Sequence, residues 1–148
     1  MTDERPGKDL EIQHEDLRHL LDRLELLLSA PPDTLPSSRT RRVIETEIRA
    51  LKRVVSHHFA YEEKNGYLGG ISKSKPRLSH EAEKLCAQHA EIRGRLESLV
   101  AACADPENDI DRIGESARTA LDLLRHHERA ENALLERILV DETGSPGD

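Results

Sequence analysis

Twice in this chain a histidine is followed four residues later by a glutamate: His58 with Glu62, and His127 with Glu131. Four residues is about one helical turn, so on a helix both members of each pair project from one face. That face is not the polar one. His58 continues the stripe of Leu51 and Val55, and His127 falls on the stripe that joins Ala120 to Leu134. A fold that buries these stripes must bury imidazole and carboxylate with them. An ionised carboxylate in an apolar interior is costly unless it is paired or bound to a metal. This requirement narrows the folds open to the chain more than any other feature.

The stripes themselves predict helices. Leu10, Leu17, Leu21, Leu24 and Leu28 recur at helical spacing and place a first helix over 9–29. Ala30-Pro31-Pro32-Asp33 ends it, and a second helix runs over 38–64 on Ile44, Ile48, Leu51 and Val55. Asn65-Gly66 and Gly69-Gly70 open a connection to residue 77, read as a mobile link rather than a lid. A third helix is expected over 78–103, with Ser79 as its N-cap and a stripe of Leu78, Ala82, Leu85, Ile92, Leu96 and Leu99. After Asp105-Pro106-Glu107-Asn108, a fourth runs over 109–140 on Ile110, Ile113, Ala117, Ala120, Leu124, Leu134 and Ile138. No strand pattern emerges. Four long amphipathic helices with short connections predict an all-α, up-down-up-down antiparallel four-helix bundle. The domain is expected over 9–140, with 1–8 and 141–148 as flexible termini.

The other histidines divide by helical phase. His14 lies on the stripe of the first helix and His89 on that of the third, between Leu85 and Ile92. His19, His57, His80 and His126 fall off the stripes. In an antiparallel bundle, residues equally far from a turn share a depth. His14 lies about 20 residues before the first turn, and His58 to Glu62 lie about 24–28 after it. His89 lies about 18 before the last turn, and His127 to Glu131 about 20–24 after it. His14, His58, Glu62, His89, His127 and Glu131 therefore fall in one layer. Four imidazoles and two carboxylates without thiolate suit iron, manganese or zinc, and six donors suit two ions with the carboxylates shared. The paired Glu-x-x-His signature of ferritin-like bundles is met only once, at Glu11 and His14.

Bulk properties set the remaining bounds. The 148 residues suit a single domain. A net charge of −7 argues against nucleic acid as a partner, because phosphate binding needs a basic surface. No apolar run approaches the roughly 18–20 residues of a membrane span. Met1 to Lys8 has no apolar signal region, so the expected location is cytoplasmic. Cys86 and Cys103, on one expected helix, lie roughly 25 Å apart at ~1.5 Å per residue and are too distant to pair.

The chain resembles the hemerythrin-like, HHE cation-binding family. The resemblance rests on His14, His58-Phe59-Ala60-Tyr61-Glu62-Glu63, His89 and His127-Glu128-Arg129-Ala130-Glu131-Asn132-Ala133-Leu134. It implies a four-helix bundle holding two non-haem irons with an oxo or hydroxo bridge. His14, His58, His89 and His127 would be terminal ligands, and Glu62 and Glu131 the bridges. It also implies a small diatomic partner (oxygen, nitric oxide or peroxide) and a role in oxidative or nitrosative stress or in iron handling. The other role is that of an oxygen or iron carrier or a redox-sensing module without turnover. An electron donor or partner protein would be needed for turnover, and the chain would be a monomer or homodimer.

One position departs from the oxygen-carrying members, which have two histidines four residues apart on the third helix. Here the residues four away from His89 are Leu85 and Arg93. This resembles the members linked to nitric oxide handling and iron–sulfur cluster repair. His126, five residues before Glu131, matches the oxygen carriers' spacing and is the alternative to His127, or a donor that orients it. Cys86 is expected as a small buried residue, Tyr61 as packing, Glu63 at the surface or beside the ligands, and Arg93 in the place of the missing histidine, paired with an acid.

Overall fold

The computed structural model describes residues 6–29, 37–64 and 76–143. Helix α1 spans Pro6–Leu28, α2 Ser37–Lys64, α3 Ser79–Ala104 and α4 Ile110–Thr143, with a 3-10 turn at Pro76–Leu78 before α3. Among the described residues no strand occurs. Each helix packs on its two neighbours: α1 on α2 and α4, α2 on α3, and α3 on α4. This is the ring of contacts of an all-α four-helix bundle. No helix among the described residues is long and apolar enough to cross a membrane.

The stripes form the core as their spacing dictates. Leu17, Leu21 and Leu24 of α1, Ile44, Ile48, Leu51, Val55 and Phe59 of α2, Ile92, Leu96 and Leu99 of α3, and Ile113, Ala117, Ala120 and Leu124 of α4 make one buried cluster. A second, smaller cluster joins Leu78, Ala82 and Leu85 to Leu134. On α3 and α4 the histidine layer lies between the two. At roughly 25 cal/mol per Å² of apolar surface, each buried leucine or isoleucine contributes about 1.5–3 kcal/mol.

Most helix ends fall within a residue of the sequence expectation, and three features differ from it. Helix α1 starts at Pro6 rather than 9, since proline at a first helical position gives up no intrahelical hydrogen bond. Helix α4 continues to Thr143. Ser79 is not an N-cap: Leu78 holds that position, no side chain caps it, and the Ser79 hydroxyl donates to the Pro76 carbonyl at 2.9 Å.

The turn at 105–108 is as expected and well tied. The Asp105 carboxylate accepts from Glu107 N at 2.9 Å, and Asp109 accepts from Asp111 N at 3.1 Å at the start of α4. Arg41 reaches across from α2 to the carbonyls of Asp105 and Asn108. Arg118 donates to the Leu28 carbonyl at the end of α1 at 2.7 Å, closing α4 on α1. The connections at 30–36 and 65–75, the extreme termini 1–5 and 144–148, and the side chain of Leu10 lie outside the described residues.

Candidate metal centre

The structure brings all six inward groups together. His14 is 8% exposed, and His58, Glu62, His89, His127 and Glu131 are each 1% exposed or less. His19, His57, His80 and His126 are exposed. His127 and not His126 therefore belongs to the layer, because one residue of helix turns a side chain by about 100°.

The donor atoms fall into two groups that share Glu131. One holds Glu62, His89, His127 and Glu131, and the other His14, His58 and Glu131, each within 4.8 Å. His58 Nε2 is 3.2 Å from Glu62 Oε1 and 3.5 Å from Glu131 Oε1. His89 Nε2 is 3.5 Å from Glu62 Oε1, and His127 Nε2 is 3.5 Å from Glu131 Oε2. His14 Nε2 is closest, donating to Glu131 Oε1 at 2.5 Å.

The outer nitrogens fix what the inner ones present. His58 Nδ1 donates to Gln13 Oε1 at 2.7 Å, His127 Nδ1 to Gln88 Oε1 at 2.7 Å, and His89 Nδ1 to Glu63 Oε1 at 2.9 Å. A neutral imidazole carries one N–H, so in these three rings the lone pair is on Nε2 and points inward. It meets carboxylate oxygens, which when ionised are also acceptors. Accordingly Nε2 of His58, His89 and His127, both oxygens of Glu62 and Oε2 of Glu131 are buried without a hydrogen-bond partner. Buried polar atoms left this way cost about 1–3 kcal/mol each. A cation between them removes the cost. Two donors about 2.1 Å from one cation, at angles of about 90–110°, stand about 3.0–3.4 Å apart, close to the spacing seen here. The residues fit a metal.

The electrostatics carry the same message. Burial and the adjacent Glu131 push the Glu62 carboxyl far above the usual carboxylate range. Burial works to raise Glu131 as well, but the imidazoles of His127, His14 and His58 outweigh it and hold that carboxyl well below the range. Burial pushes His89 down to about 4, against the raising effect of Glu63. Burial lowers His14 too, but the bond to Glu131 overrides it and leaves His14 above its ordinary value. Without a cation the two carboxylates hold one proton between them. Binding a metal displaces it.

Against this geometry the comparison with known families is decisive. The sequence matches the hemerythrin HHE cation-binding domain over residues 6–139. The chain belongs to that family. No curated protein and no solved structure gives a significant match. As a hemerythrin-family chain with a buried histidine and glutamate cluster, it is a metal-binding protein.

Around the hemerythrin layer, Arg93 pairs with Glu63 through both guanidinium nitrogens at 3.3 Å, rather than entering the layer in place of the absent histidine. Cys86 is half-buried against the Leu78, Ala82, Leu85 and Leu134 cluster, where burial raises its thiol. Tyr61 is half-buried. Sequence reasoning missed Gln13, Gln88 and Phe59. Phe59 stacks on His89 at 3.8 Å with rings 8° apart. The two glutamines had a signal: each immediately precedes a layer histidine, as Gln13-His14 and Gln88-His89.

Proposed function

We propose that this chain holds two non-haem iron ions in the histidine and glutamate layer and binds or reacts there with a small diatomic. Oxygen, nitric oxide and peroxide are the candidates, in oxidative or nitrosative stress or in iron handling. His14 and His58 serve one ion, His89 and His127 the other, and Glu62 and Glu131 lie between. The observation that supports this most is the set of inward Nε2 lone pairs facing unsatisfied oxygens of Glu62 and Glu131 at 3.2–3.5 Å. Iron in such a site supplies one-electron redox steps and coordination positions for a small ligand.

The chain's own residues do the rest. Gln13, Glu63 and Gln88 fix the three rings so that their lone pairs face inward. Phe59, Ile92 and Leu124 on one side, with Leu85 and Leu134 on the other, keep water out of the layer. Leu85 and Arg93 stand where oxygen carriers have a further imidazole, so one cation has one neutral donor fewer. This favours turnover, with electrons from a partner protein, over reversible carriage or sensing without turnover.

Metal analysis with an optical spectrum, on protein purified without air and then exposed to it, tests the reading. About two irons per chain and near-ultraviolet charge-transfer absorption appearing in air are expected from a paired imidazole and carboxylate site. Zinc or no metal, with helicity unchanged by a chelator, would refute it. Consumption of nitric oxide or peroxide by the loaded protein separates turnover from a stable adduct.

A further inference from the structure

The two halves of the bundle repeat one another around the layer. One constant shift carries His14, Leu17, Arg18, Leu21 and Leu24 of α1 onto His89, Ile92, Arg93, Leu96 and Leu99 of α3. Another carries Ile44, Ile48, Leu51, Val55, His58 and Glu62 of α2 onto Ile113, Ala117, Ala120, Leu124, His127 and Glu131 of α4. The outer hydrogen bonds follow the same rule. Gln13 holds His58 as Gln88 holds His127, both at 2.7 Å.

The rule breaks at one pair. His89 Nδ1 donates to a carboxylate, Glu63 Oε1, at 2.9 Å. The residue related to Glu63 is Asn132, a neutral amide whose influence on the related His14 is small beside that of Glu131. Arg93 grips both oxygens of Glu63 at 3.3 Å and lies over Phe59, 5.5 Å from the ring centre. Phe59 in turn stacks on His89. The residue related to Phe59 is Glu128, so His14 has no such plate behind it in the matching position. Carboxylate, guanidinium and aromatic ring thus lock one histidine of the layer in both charge and orientation.

We propose that Glu63 is a positioning residue that makes the two cation positions unequal. The position served by Glu62, His89, His127 and Glu131 binds the first, tighter ion, and the position served by His14, His58 and Glu131 binds a second, exchangeable one. A carboxylate on the outer N–H of a ligating imidazole raises its donor strength, and such charge-assisted bonds are roughly twice as strong as neutral ones. The inference rests on the two-cation reading above.

Cobalt(II) titration of the chelator-stripped full chain tests it, followed by d–d absorption and calorimetry. Wild type is expected to take two ions in two steps whose dissociation constants differ at least tenfold. Glu63 is 40% exposed at its side chain, so Glu63→Gln keeps the fold. It is expected to weaken the first step about 10–100-fold, alter the first-step spectrum and leave the second step unmoved. Asn132→Glu, also at an exposed position, is expected to tighten the second step and bring the two together. Two equal steps in wild type, or a Glu63→Gln effect spread over both, would overturn the inference and leave the two-cation reading standing. Fewer than two ions bound by wild type would overturn both.

Discussion

The lower bundle and the histidine layer are built from the same helices on the same stripes, yet they solve opposite problems. From Leu17, Phe59, Ile92 and Leu124 downward the interior is apolar, closed and satisfied by its own packing. A few residues along each helix, the same inward face carries four imidazoles and two carboxylates, with six of their atoms lacking a partner. One region is stable because of what it contains. The other holds polar atoms that a cation would satisfy. Helical periodicity selects which residues point inward; it does not decide whether that interior is self-sufficient.

The strongest way to break the comparison is to make the layer resemble the core. Glu62→Leu is expected to abolish binding of at least one cation, read by metal stoichiometry. The same change should leave the metal-free protein as stable as wild type or more stable by about 1–4 kcal/mol, because an unsatisfied buried carboxyl is replaced by an apolar side chain. A metal-free variant less stable than wild type in urea would show that the layer contributes to folding without a cation.

Leu21→Ala, in the lower core at 0% exposure, is the reciprocal change. It is expected to cost about 2–5 kcal/mol with or without metal, and to leave the stoichiometry alone. A stability loss confined to the loaded form would erase the distinction between the regions.

Proton linkage sharpens it further. Glu62 and His14 have raised values in the fold, so each contributes stability that is complete at low pH and lost as pH rises through its folded value. His89, lowered to about 4 from 6.5, acts oppositely, costing stability as pH falls through that window. Above pH 6.5 only the first two still act. The metal-free melting temperature should therefore fall as pH rises above 6.5. The stabilisation by metal should grow over the same range, because loading releases those protons. Melts at several pH values, with and without chelator, measure this; a metal-free curve that is flat or rising contradicts it.

The smallest expected effect is at the outer hydrogen bonds. Gln88→Leu frees His127 Nδ1 and should weaken metal binding about 10-fold, with the core unaffected. An unchanged affinity in a competition assay would mean that ring orientation is set by packing alone.

Much of the site was legible because its signals are local. His58 with Glu62 and His127 with Glu131 declare their face by spacing, and His14 and His89 sit in phase with leucines. The choice of His127 over His126 follows from the same phase, and burial agrees. The helix starts at Pro6 and Ser79 were less legible, because a terminal turn has few bonds and several acceptable residues.

What the sequence determined by itself was the all-α class, the four stripes and the six residues that face inward, since each depends only on a periodicity of 3.6 residues along one helix. What the tertiary structure decided was how those residues are held. Gln13 with His58, Gln88 with His127, and Glu63 with His89 and Arg93 join residues on different helices. Such contacts depend on the rotation and register of one helix against its neighbour, which packing between faces sets and no single stripe encodes.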